Sequence, residues 1–227
     1  EIGAGNSAPQ GEGFFENGSH LFARMQDLGR NHGMYLEETT DRLNDGAVST
    51  HSLRSWPAGS LLFPKSGASI LLNHRALLAR PSYVVSHLAV LVPGPLLLPE
   101  FLYFFSLTVD AARIVPDTNY PSLRLADVGS IRIPLPSVPE QQRIVAILRK
   151  ADELRQLRER HGLDPNPPTV IVSGRLLLPS DLPLLQDPDS RVIVATAADH
   201  ELEGVAADVS YERTGDDLGL LLARLRS

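Results

Sequence analysis

Ser137 to Arg160 reads SVPEQQRIVAILRKADELRQLRER, and the rest of the chain is organised around it. Ser137 with Glu140 three residues on fits a capping box, and Pro139 stands in the first turn, where its missing N–H costs nothing. Ile144, Ile147, Ala151 and Leu154 recur at steps of three and four, an apolar seam widened by Leu148 and Leu157. Gly162, with Pro165 close behind, supplies the stop. The spacing predicts one amphipathic helix over 139–161. It falls short of the roughly three to four heptads that mark a sustained coiled coil, yet its seam needs a second helix or a sheet to cover it.

Working outward, length and composition bound the answer. The 227 residues can bury one ordinary core or two small ones. No run reaches about 18 uninterrupted apolar residues, so no membrane-spanning helix is expected. With no cysteine there is neither a disulfide frame nor a thiolate zinc site. No signal peptide opens the chain, which makes a cytoplasmic home the expectation. Residues 1–160 carry 16 Lys+Arg against 16 Asp+Glu, whereas residues 161–227 carry 5 against 11. The acidic tail is therefore a poor partner for phosphate. The neutral first part can meet DNA only through a local patch.

Two tempting motifs fail on context. Ile2 to Ala8, IGAGNSA, matches a dinucleotide fingerprint, but Pro9, Gly11 and Gly13 forbid the helix that must follow it. Gly59 to Ser66, GSLLFPKS, approaches a phosphate-cradling loop, but Pro64 stands where a glycine N–H is needed. The seven histidines show no metal-ligand spacing, and no nucleophile motif is present. No catalytic residue, metal or cofactor is expected.

Residues 1–31 read as loop-rich and residues 32–58 as irregular connections. Residues 61–92 read as short strands, LLF, SILL, ALLA and VVSHLAVLV, with turns between them. Lys65-Ser66-Gly67 falls in the first turn and Asn73-His74-Arg75 in the second. A lysine on a hairpin can neutralise phosphate, and Asn and Arg are the side chains that bond adenine and guanine edges in two-pronged fashion. Read on chemistry alone, the same residues also suit ordinary solvated turns. Glu100 to Ile114, EFLYFFSLTVDAARI, reads as a helix whose aromatic face is core. Ile131 to Pro136, IRIPLP, reads as an edge strand before the long helix.

The run from Tyr120 to Gln142, YPSLRLADVGSIRIPLPSVPEQQ, resembles the end of a target recognition domain entering the central helix of a type I restriction-modification specificity subunit. Gly5 to Pro9, Asn17-Gly18 and the stretch ending Gln26-Asp27-Leu28-Gly29 resemble that family's opening. Leu62 to Asn73, LFPKSGASILLN, resembles its central strand pair. The resemblance implies a non-catalytic subunit that selects a DNA target and holds an adenine methyltransferase subunit, with a restriction/translocase subunit as a further partner. It raises Lys65, Ser66, Asn73 and Arg75 as DNA contacts and adds Asn119, Tyr120 and Arg124. One recognition domain and one helix imply a homodimer through residues 139–161, on Ile144, Ile147, Ala151 and Leu154. Glu1 falls inside what the family would make a strand, as in a fragment of a longer protein.

After Arg160 the texture changes. HGLDPNPP is a linker, followed by TVIVSGRLLLP and SRVIVATAA as buried-type strands and DDLGLLLARLR as a helix, spaced for a parallel sheet. Residues 163–227 resemble part of the reductase domain of the riboflavin-pathway deaminase-reductase, of dihydrofolate-reductase-like fold. Ser173, Gly174 and Thr196 match positions near that family's cofactor, but its first strand and its glycine-rich turn have no counterpart here. NADP would enter only under an alternative reading of the tail as a reductase. Two others are a pure interaction module and a joining of two unrelated genes. The fold class expected is thus α/β: an α+β recognition domain over 1–138, the helix over 139–161, and a partial α/β segment over 162–227.

Overall fold

The computed structural model describes residues 1–115, 121–173, 175–176 and 178–213, which fall into two compact units, Glu1–Ala151 and Asp152–Ser227. Strands of the first unit are β1 (Ile2–Ala4), β2 (His20–Ala23), β3 (Tyr35–Leu36), β4 (Asp41–Leu43), β5 (Leu61–Pro64), β6 (Ala76–Leu78), β7 (Tyr83–Val84) and β8 (Leu88–Leu91). Its helices are α1 (Met25–Arg30), α2 (Asp45–Thr50), α3 (Pro99–Leu107) and α4 (Leu125–Gly129). The long helix α5 (Val138–Arg160) begins in this unit, and the division between units falls inside it.

Two sheets face each other across one core. The larger has the order β1-β8-β5-β6-β3, antiparallel except for the parallel β6–β3 pair; the smaller is β4-β2-β7. Alternation along β5 and β8 explains why both strands read as unbroken apolar runs. Leu62, Leu88 and Val90 enter the core shared with Phe22, Leu43 and Val84 of the smaller sheet. Phe63 and Ala89 point the other way, into a second core with Ile70, Leu123 and Val128, while Leu61 packs with Leu77 and Leu102. Each fully buried side chain of this kind contributes roughly 1.5–3 kcal/mol.

Gly5 lets the first segment lie against the β7–β8 turn. A Cβ there would stand 2.1 Å from the Val84 carbonyl oxygen and 2.3 Å from that of Val85. Gly5 of IGAGNSA thus serves a close backbone approach, with Asn6 N donating to Val84 O at 2.8 Å, while Gly3 makes room for the Trp56 ring.

Several elements differ from the sequence expectation. Ser69 to Leu72 is part of a 3-10 helix, Ala68–Leu72, rather than a strand. Gly67 (φ 79°) enters it and Asn73 (φ 52°) leaves it, both left-handed, and the reversal between them breaks any ladder. Residues 131–136 form no strand. Ile131 and Ile133 do pack inward onto the two cores behind the larger sheet, but Pro134 and Pro136 have no N–H to donate. The helix expected over 100–114 ends as α3 at Leu107, and a separate 3-10 turn follows at Ala111–Arg113. Residues 1–58, read as mostly irregular, hold four short strands, two short α-helices and a 3-10 turn at Glu12–Phe14.

The second unit contains a parallel sheet of order β11-β10-β9, from β9 (Thr169–Val172), β10 (Arg191–Ala195) and β11 (Asp208–Glu212), with α6 (Pro183–Gln186) between β9 and β10. Leu176, Leu185, Val192 and Val194 form its core. Ser173 and Thr196 follow the carboxyl ends of β9 and β10. Ser173 N donates to Ala195 O at 2.9 Å, and Thr196 is fully buried. Gly174 and the stretch DDLGLLLARLR lie outside the described residues. Among the described residues no helix is long and apolar enough to cross a membrane.

Candidate nucleic-acid interface

The end of β5 brings three of the candidate residues together. Lys65 N donates to His87 O at 3.0 Å on one side, and Lys65 O accepts from Leu123 N at 2.9 Å on the other. Ser66 and Ser122 form an antiparallel bridge, and Gly67 N donates to Pro121 O at 2.9 Å. The segment 121–124 therefore extends the sheet beyond β5, which places Arg124 beside the Lys65–Ser66 turn. Lys65 is half-buried and makes no ion pair among the described residues. Ser66 is also half-buried, and Ser122 is exposed.

Arg124 is committed locally. Its guanidinium forks onto Asp127, with Nη2 to Oδ1 at 2.8 Å and Nε to Oδ2 at 3.2 Å, while its N–H donates to the same carboxylate. That hydrogen bond holds the Asp127 carboxyl below its ordinary range and raises Arg124. The pair is close to neutral as a unit, whereas Lys65 has no carboxylate partner among the described residues.

Asn73 and Arg75 are placed differently from the expectation. Asn73 Nδ2 donates to Leu107 O at 2.8 Å, tying the β5–β6 connection to the end of α3, while its Oδ1 is buried without a hydrogen-bond partner. Arg75 is only 4% exposed. Its guanidinium stacks 3.7 Å from the centroid of Phe63 and donates from Nη1 to the His74 carbonyl, while Nε and Nη2 have no partner. Burial lowers its pKa to about 10. Arg75 therefore leaves the set of surface candidates: the buried apolar strand β6 that follows it and the Phe63 ring beneath it hold it inward. Asn119 and Tyr120 lie outside the described residues.

A contact absent from the sequence reading fixes α5 to its domain. Gln141 is fully buried and fully bonded: Nε2 donates to Leu96 O at 2.8 Å and Pro136 O at 2.9 Å, and Oε1 accepts from Leu98 N at 2.9 Å. About two turns further along, Arg149 meets Glu100 at 3.3 Å, and Tyr35 donates its hydroxyl to the same carboxylate at 2.8 Å. Burial and that carboxylate raise the Tyr35 pKa. Val145 is buried and Ile144 half-buried, so the docked face of α5 is Gln141, Ile144 and Val145. Ile147 and Leu154 are 69% and 50% exposed, and Ala151 is exposed as well. At the cap, Ser137 Oγ faces Glu140 Oε2 at 3.4 Å, and Glu140 N donates to Ser137 O at 2.9 Å. Only the EQQ spelling marked Gln141, and two of its three partners, Leu96 and Leu98, lie more than 40 residues upstream.

Among the described residues no group of His, Asp and Glu could hold a metal ion. The family model of the type I restriction modification DNA specificity domain matches residues 39–161. The specificity subunit of the type I restriction enzyme MjaIX of Methanocaldococcus jannaschii is 27% identical over 154 residues, covering 66% of this chain and 34% of that protein. The EcoR124I/EcoR124II specificity subunit of Escherichia coli is 29% identical over 146 residues, covering 62% and 35%. The HsdS subunit of Thermoanaerobacter tengcongensis superposes with a TM-score of 0.51 at 21% identity, covering 70% of this chain and 37% of that one. A chain from a structure on complex assembly of the type I R-M system gives 0.57 at 21%, covering 71% and 38%. At that identity the likeness to both structures is one of fold. The chain spans about a third of the length of the curated relatives it matches. The matched family span ends at residue 161, so the reductase reading of the tail rests on its own resemblance alone. With more than half of its residues inside that span, the chain belongs to the type I restriction-modification DNA specificity domain family.

Proposed function

We propose that this chain recognises a short duplex DNA sequence and presents it to an adenine methyltransferase subunit, without doing chemistry itself. The observation that carries this is the Lys65–Ser66 turn, whose backbone is bonded to the 121–124 segment and whose lysine has no ion pair among the described residues, inside the family-matched span. A lysine so held positions a phosphate, and neighbouring side chains then meet base edges. A restriction/translocase subunit joins the same assembly. The exposed seam of α5, with Ile147 and Leu154, supports a homodimer that supplies the second recognition domain.

The test is selection of bound duplexes from a random library by the full chain at one stated salt concentration. Enrichment of a short motif is expected. Lys65→Ala should weaken binding to all sequences by about five- to tenfold while leaving the motif unchanged, as for a single phosphate contact. No enrichment, with or without a methyltransferase subunit present, overturns the reading.

A further inference from the structure

Beside the Lys65 turn lies a polar cleft of about 420 Å3, formed where residues 7–10, 24–26 and 85–87 meet. Ser7, Gln10, Gln26, Ser86 and His87 supply its hydrogen-bonding groups, and no carboxylate lines it. Its walls are held by backbone bonds. Ser86 N donates to Asn6 O at 2.8 Å, Val85 N to Ala23 O at 2.9 Å, and Gly5 N to Leu88 O at 3.2 Å. His87, whose carbonyl accepts from Lys65 N, is the seam between cleft and turn. The Lys65 N–H bond to the His87 carbonyl, at 3.0 Å, closes the turn against the rim of the cleft just past the last β5–β8 pair, Pro64 and Leu88.

The chemistry of the lining selects the ligand. Arg24, the one Arg or Lys at the cleft, is paired with Asp41 and lies over the rings of Phe15 and Phe22, so no free positive charge awaits a phosphate there. A neutral polar edge fits instead. Gln10 Nε2 is spent on Ala8 O at 3.1 Å. Gln26 is exposed and makes no side-chain hydrogen bond among the described residues, so its amide offers a donor and an acceptor together. That pair is the complement of adenine N7 and N6 in the major groove. A second polar cleft is lined by Asp27, Glu37 and Glu38 against Arg30, an acidic excess that suits the DNA backbone less.

Resting on the DNA-recognition reading above, we infer that this cleft is a base-reading subsite in which Gln26 takes an adenine edge while Lys65 holds a neighbouring phosphate. Duplex selection with the full chain compares wild type with Gln26→Ala, Gln26→Glu and Lys65→Ala. Gln26→Ala is expected to lose preference at one adenine of the motif by about ten- to hundredfold and to keep the other positions. Gln26→Glu is expected to shift that position toward cytosine, whose N4 amine a carboxylate accepts. Because Gln26 is exposed, both variants should unfold at the wild-type denaturant midpoint, which separates lost reading from lost folding. A wild-type motif retained by both Gln26 variants overturns the subsite and leaves DNA recognition standing. A wild type that enriches no motif overturns both.

Discussion

At the scale of single residues, Arg75 and Gln141 form a contrast. Both are buried and polar, but Gln141 satisfies three backbone groups, whereas two Arg75 nitrogens have no partner. Gln141→Ala orphans the Leu98 N–H and two carbonyls, and should cost about 2–3 kcal/mol in a urea titration. Arg75 carries the reverse sign. Its folded pKa of about 10 lies below the ordinary arginine value, so the charged form is penalised in the folded state at every pH below about 10. Arg75→Met keeps the packing on Phe63 and removes that penalty. It should stabilise the protein by about 1–2 kcal/mol at pH 7 once the lost stacking is subtracted. The advantage should narrow as pH rises through 10, where the wild-type guanidinium sheds its proton on folding. Paired denaturations at pH 7 and pH 10.5 check both size and direction. Neither placement was legible locally, because a polar residue in a turn reads the same whether its side chain goes out or in.

At the scale of elements, the long helix was the most readable piece, since proline, glycine and a three-four repeat all act within one segment. Its docking was not. The buried Gln141 and Val145 lie beside the apolar seam, and Ile147 and Ala151 on the seam stay exposed. If those exposed positions meet a second copy, Ile147→Glu with Leu154→Glu should convert a micromolar dimer to monomer in equilibrium sedimentation, with the unfolding midpoint of residues 1–151 unchanged. A wild type that sediments only as monomer removes the homodimer. The strands were misread where a local rule met a backbone constraint. Ser69 to Leu72 has strand-like composition, yet the left-handed residues at both ends leave room only for a tight helical turn. Residues 131–136 alternate as a strand should, but two prolines deny them a ladder.

At the scale of the whole molecule, charge sets the expectation. Residues 1–160 are balanced at 16 positive and 16 negative groups, and several of the arginines are already paired with Asp or Glu. Few phosphates can be neutralised, so the logarithm of DNA affinity should fall with the logarithm of salt at a slope of only about −2 to −3. A titration from low to physiological salt reads this directly, and a slope steeper than about −6 would point to a basic surface that the Lys65 turn does not provide. The Lys65–Ser66 turn was legible in sequence because an apolar run that ends in Lys-Ser-Gly advertises a turn. The cleft around Gln26 was not, since three segments spread over 80 residues build it. The Gln141 anchor has one more consequence. Because Leu98 N–H donates to the Gln141 side chain, its solvent exchange is gated by the seating of α5. The deuterium uptake of this single amide therefore serves as a built-in gauge: a partner that levers the helix off its domain would speed it, and one that merely clasps the exposed seam would leave it slow.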